Sequence, residues 1–209
     1  MKKAALFDLD GVIFHTELLY DIFWEGISRE FRPDTPEMVR QMKGQTMVYT
    51  LNRWFSGPYE HLRGEVVRRM NEFESHMAFE YVPGFQTFLE DIRSRGVRTA
   101  VVTSSNLPKM ANVYRRHPEF RDMFDAILTS EDFSRSKPDP DCYLVAARRL
   151  GLSPADCVVF EDSLNGLRSG TAAGMFTVAL CTTLPPATLR PLSSLQLPDF
   201  TAARWDALA

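Results

Sequence analysis

The chain has 209 residues, of which 44% are hydrophobic and 24% charged, with a formal net charge of -3 at pH 7. That length builds one large domain or two small ones. The slight acidity offers no basic footprint for nucleic acid, and no apolar run reaches the roughly 20 residues that cross a bilayer. Lys2-Lys3 precede an apolar run too short for a secretion signal, and acid cuts it off at Asp8. Cys142, Cys157 and Cys181 are odd in number and lack CxxC spacing, which fits reduced, buried thiols in a cytoplasmic chain.

Residues 4–7 read as a short buried strand that ends in Asp8-Leu9-Asp10-Gly11. Side chains alternate along a strand, so Asp8 and Asp10 face one side and Leu9 faces the core. Gly11 lets the chain turn away through backbone angles other residues avoid. From Glu17 to Phe31, Leu18, Leu19, Ile22, Phe23, Ile27 and Phe31 recur at three- and four-residue steps, the apolar face of a helix. Pro33 and Pro36 end it. Helical patterns follow at 38–43, 47–55 and 62–79, with no strand pattern between 15 and 80.

After Pro83-Gly84 the pattern alternates. Phe85, Phe88, Leu89 and Ile92 mark a helix that Gly96 ends. A strand at 97–102, a helix at 107–117 and a strand at 124–128 come next. A helix is then capped by Asp139, with Pro140 at its first position and Gly151 at its end. A strand at 157–160, a helix at 163–173 and a strand at 176–180 complete the series. Residues 182–197, rich in Pro, Ser, Thr and Leu, are predicted as loop plus a short helix. The alternation predicts an α/β fold: a Rossmann-like parallel sheet core with an all-helical insert, which the family resemblance given below identifies as a cap. The expected division is 1–14 plus 82–209 for the core and 15–81 for the cap.

Polar residues gather where strands end: Asp8 and Asp10, then Thr103-Ser104-Ser105-Asn106, then Glu161-Asp162, with Lys137 before a later helix. Open α/β sheets bind ligands beyond the carboxyl ends of their strands, so these groups are expected to share one crevice. Two like charges about 4 Å apart repel by about 4 kcal/mol at an effective dielectric of 20. Four carboxylates facing one lysine therefore call for protonation or a bound cation. Every candidate ligand is an oxygen, which favours Mg²⁺ over Ca²⁺ or Zn²⁺. Such a set suits phosphoryl transfer. One acid attacks phosphorus, a second moves the proton, and Thr103 with the amides near Ser104 holds the phosphate.

FDLDGV, VVTSSN, SKPDPD and VFEDSLNG, in this order, resemble the four motifs of the haloacid dehalogenase superfamily, and within it the β-phosphoglucomutase-like group with a helical cap. The resemblance spans essentially the whole chain. It implies Asp8 as nucleophile and Asp10 as general acid/base, with the Asp10 backbone carbonyl on the metal. It implies Thr103 as the phosphate-binding hydroxyl with Ser104 and Asn106 nearby, and Lys137 as the charge-stabilising lysine. Asp162 matches the acidic metal ligand, and Glu161 ligates directly or through water. An acid at Asp10 favours phosphate esters over carbon–halogen or carbon–phosphorus bonds.

Three positions depart from the pattern. His15 stands where relatives carry an acid, and either binds substrate or packs. Tyr20 replaces a mutase histidine, and Met47 an arginine for the distal phosphate. Hydrolysis is thus expected over mutase chemistry. The expected protein is a cytoplasmic, Mg²⁺-dependent phosphatase of a small phosphorylated metabolite such as a sugar phosphate, a monomer or weak homodimer with no nucleic-acid or membrane partner. Lys43, with Gln45, Thr46 and Tyr49, is the cap's candidate for substrate contact. The rival readings are a phosphomutase, a phosphoaspartate receiver and an inactive binding protein. The first-strand acid pair and the helical insert count against a receiver.

Overall fold

The computed structural model describes residues 2–208. Six parallel strands form one sheet: β1 (Ala4–Phe7), β2 (Arg98–Val102), β3 (Ala126–Leu128), β4 (Cys157–Glu161), β5 (Phe176–Leu180) and β6 (Leu195–Leu197), in the order β3-β2-β1-β4-β5-β6. Every residue of β1 is buried, as expected of a central strand covered on both faces. Its side chains alternate between two cores. Ala5 and Phe7 join Phe85, Phe88, Phe160 and Phe200 on one face. Ala4 and Leu6 join Val102, Tyr143, Ala146 and Val159 on the other. The Phe7 and Phe160 rings stack with centroids 4.8 Å apart.

Register places the site. Phe7 is level with Val101 on one side and with Phe160 on the other. The residues one step further along, Asp8, Val102 and Glu161, therefore emerge together at the carboxyl edge. Helices α5 (Phe85–Ser94), α6 (Leu107–Arg116), α7 (Asp141–Leu150) and α8 (Leu164–Ala172) flank the sheet, and a short α9 (Pro186–Leu189) follows β5.

Between β1 and β2 lie α1 (Glu17–Phe31), α2 (Met38–Met42), α3 (Met47–Trp54) and α4 (Arg63–Ser75), which form the cap. They bury a core of their own around Trp24, Ile27, Met38, Trp54, Val66 and Met70. The face of α1 differs from the one the sequence suggests. Of the predicted stripe Ile27 is buried, but Leu18 is 72% and Ile22 63% exposed, and Trp24, outside that stripe, is buried instead. The reason is that Glu17, Tyr20, Asp21 and Trp24 form the stripe turned toward a cavity between these helices and the sheet edge. The cavity-lining stripe occupies that face, and Leu18 and Ile22 fall on the solvent side.

Two further differences are local. Helix α7 begins at Asp141, a residue later than its sequence cap implies, but Asp139 Oδ1 still accepts the Asp141 N–H at 3.0 Å. The tail adds β6, which pairs Leu180 with Leu197. Three residues at a sheet edge are too few to show a period. Among the described residues, no helix is long and apolar enough to cross a membrane.

Candidate active site

Asp8 leaves β1 with its amide donating to the Phe160 carbonyl at 3.0 Å, so the backbone is still held as strand where the carboxylate begins. Lys137, on the loop between β3 and α7, is completely buried. Its ammonium donates to Asp8 Oδ1 and Glu161 Oε1, each at 2.6 Å, and to the Val102 carbonyl at 3.2 Å. Buried charges persist only when paired and hydrogen-bonded, and this lysine spends all three donors.

Glu161, also fully buried, accepts five hydrogen bonds. Lys137 and the Tyr143 hydroxyl reach Oε1, while the Asp162 and Ser163 amides and the Ser163 hydroxyl reach Oε2. A carboxylate offers about four lone-pair sites, so Glu161 is saturated by protein donors. It acts as the strut that fixes Lys137 beneath Asp8. Gly166 makes room for it, since a Cβ there would overlap the Glu161 carboxyl group.

Asp162 is different. It is 2% exposed, and its side chain accepts from the Thr183 hydroxyl. Gly11, at φ +72°, sits against both groups, and any Cβ there would overlap them. Oxygens of Asp8, Glu161 and Asp162 lie within 4.8 Å of one another. The electrostatics match this crowding. Burial pushes the Asp8 carboxyl up to about 8, with Lys137 opposing and Glu161 and Asp10 adding to the rise. Burial, with Glu17, Glu161 and Asp8, carries Asp162 well above the carboxylate range. Burial works to lower Lys137, but Asp8 and Glu161 outweigh it and hold the ammonium charged. Three carboxylates against one ammonium leave room for a cation. An all-oxygen donor set with Asp162 so sparsely paired fits Mg²⁺.

Asp10 is oriented from three sides. Thr16 Oγ1 donates to Oδ1, and Ser105 Oγ (3.2 Å) and Lys109 Nζ donate to Oδ2. Lys109, on α6, is 2% exposed, and its ammonium lies 4.6 Å from the centroid of the Tyr20 ring. The Thr103 hydroxyl accepts from the Ser105 amide at 3.0 Å and lines the cavity.

The cap closes over these groups. Ser104 Oγ donates to the Gly44 carbonyl (2.8 Å), Asn165 Nδ2 to the Lys43 carbonyl (2.8 Å), and the Thr46 amide to Ser136 Oγ (2.9 Å). The cavity between the cap and the sheet measures about 120 Å³.

The structure thus brings Asp8, Asp10, Thr103, Lys137, Glu161 and Asp162 together. Ser104 and Asn106 line the same cavity, but their side chains are engaged. Ser104 latches the cap, and Asn106 accepts from the Lys109 amide as the N-cap of α6. Lys43 also lines it, paired with Glu17 (3.1 Å) and Asp21 (2.7 Å). His15 stands apart, exposed on a separate groove with Leu18, Phe79 and Glu80. Lys109, Tyr143, Thr16 and Thr183 escaped the sequence reading. For Lys109 a signal existed: its spacing to Met110 and Val113 puts it on the buried stripe of α6.

A family model described as haloacid dehalogenase-like hydrolase matches residues 5–180. Beta-phosphoglucomutase of Bacillus subtilis (strain 168) is 30% identical over 191 residues, covering 85% of this chain and 83% of that protein. Hexitol phosphatase A of Escherichia coli (strain K12) is 29% identical over 185 residues, covering 85% and 82%. Among solved structures, CbbY from Rhodobacter sphaeroides in complex with phosphate matches with a TM-score of 0.75 at 26% identity, over 97% of this chain and 96% of that one.

Proposed function

The chain belongs to the haloacid dehalogenase-like hydrolases, and we propose that it is a Mg²⁺-dependent phosphatase of a small phosphorylated metabolite, acting through an aspartyl phosphate on Asp8. The observation that carries this reading is that Asp8 and Asp162 line one cavity and belong to one acidic cluster, with the buried Lys137 ammonium paired to Asp8 behind them.

Asp8 attacks phosphorus, an Asp8–phosphorus bond forms, and the ester oxygen departs. Asp10, held by Thr16, Ser105 and Lys109, gives that oxygen its proton. Asp10 then takes a proton from water as the water attacks the phosphoaspartate, and inorganic phosphate and free Asp8 result. Lys137 and the Thr103 hydroxyl offset charge on the transferring oxygens. Asp8 and Asp162 would hold the Mg²⁺, with Glu161 bracing Lys137 rather than ligating directly; the bound ion would screen the carboxylate from the phosphoryl group it approaches. The cap, assigned to residues 15–81, excludes bulk water during transfer.

Relatives of both kinds exist, a mutase and a hexitol phosphatase. Hydrolysis is favoured because Tyr20 and Met47 line the cavity where resemblance to mutases calls for a histidine and an arginine. Purified protein supplied with p-nitrophenyl phosphate should release phosphate with Mg²⁺, stop on chelation and resume on re-addition. Release indifferent to metal would overturn the reading, as would isomerisation of β-glucose 1-phosphate without phosphate release.

A further inference from the structure

The cavity wall beyond Asp10 is built from acceptors. Glu17 and Asp21 enter it from α1, and Glu74 from α4. Gln45, on the segment joining α2 to α3, also lines it, and its Oε1 is buried with no hydrogen-bond partner among the described residues. A buried unpaired acceptor is uncommon in a folded protein and calls for an explanation. A donor on a bound ligand supplies one.

Positive charge on this wall is already committed. The Lys43 ammonium is shared between Glu17 and Asp21, and the Lys109 ammonium between Asp10 and the Tyr20 ring. No arginine lines the cavity among the described residues. Arg40, Arg53 and Arg168 line a neighbouring groove that shares Lys43 and Gln45 with it. Whether ionised or protonated, the three acids supply no cation. Trp24, Met42, Met47 and Met70 line the same cavity and offer an apolar surface to carbon.

We propose that the ester cleaved here is the monophosphate of a compact polyol or amino alcohol, recognised through its hydroxyl or ammonium donors by Gln45 and the cap carboxylates, and that a second anionic group on the substrate is rejected. This rests on the phosphatase reading above. A second phosphate or a carboxylate would find no free cation there and, wherever the acids are ionised, would sit among like charges; desolvated like-charge contacts are a strong basis for discrimination. A hydroxyl would instead complete the Gln45 acceptor.

The test uses matched pairs with the full-length protein and Mg²⁺. Glycerol 3-phosphate is compared with 3-phosphoglycerate, and fructose 6-phosphate with fructose 1,6-bisphosphate. In each pair the member without the extra anion should have the higher kcat/KM, by about a hundredfold. In Gln45→Leu the kcat/KM for glycerol 3-phosphate, relative to p-nitrophenyl phosphate, should fall about tenfold, chiefly through KM. Comparable or preferred use of either charged partner overturns the proposal. So does turnover of p-nitrophenyl phosphate with none of glycerol 3-phosphate or fructose 6-phosphate; in both cases hydrolysis itself stands. No phosphate release from any substrate, p-nitrophenyl phosphate included, overturns the hydrolase reading and this proposal with it.

Discussion

Two buried ammonium groups organise the chemistry, and they differ in how visible they were. Lys137 was legible because it follows a strand segment just before a helix, in a run, SKPDPD, that resembles a family motif. Lys109 was not, because a lysine in a helix is ordinarily solvated and its partner Asp10 lies 99 positions away. Glu161 was found as an acid, but two of its donors, Lys137 and Tyr143, lie 24 and 18 positions away, where no spacing could assign them. Asp8→Asn should fold normally, since the isosteric amide keeps its place beside Lys137, yet lose at least about a thousandfold in kcat for want of the attacking oxygen. Circular dichroism and phosphate release from p-nitrophenyl phosphate check both halves. Lys109→Met makes a sharper distinction. If Lys109 positions the proton donor, an alkyl phosphate, whose leaving group needs a proton, should lose about a hundredfold in kcat/KM. An aryl phosphate, whose phenolate leaves unaided, should lose much less. Equal losses on both would mark Lys109 as structural only.

Among the elements, the central strands and their acidic ends were readable from apolar runs that stop abruptly. Their register was not, because pairing β1 with β2 and β4 depends on contacts across the whole chain. Helix α1 shows a second limit. Its apolar periodicity was real, but the side turned inward was chosen by the cavity and not by hydrophobicity, which left Leu18 and Ile22 in solvent. The cap latch belongs to this scale too. Asn165, in the first turn of α8, donates to the Gln41 and Lys43 carbonyls at 3.3 and 2.8 Å. Asn165→Ala removes both bonds and should cost the closed form about 1 kcal/mol. KM should rise several-fold, and proteases should cut the cap linkers faster. Unchanged cleavage with unchanged KM would show that the latch bears no weight.

For the molecule as a whole, the crowded acids tie stability to pH. Asp8 ionises near 3.8 in the unfolded chain but only at about 8 in the folded one. Between those values the folded state binds the extra proton, so metal-free protein should lose stability as pH rises through that window. Asp162, raised in the same direction, adds to the slope. Bound Mg²⁺ favours the ionised carboxylates and should flatten the trend. Melting temperatures from pH 5 to 8, with and without Mg²⁺, check this; a metal-free protein that becomes more stable toward pH 8 would contradict it. The sheet order has a consequence during synthesis. β1 lies between β2 and β4, yet the ribosome makes the whole cap before either partner strand exists. Until residues 98–102 emerge, the nascent chain carries an unpaired, wholly apolar strand, and it is at this stage that a chaperone would have something to shield.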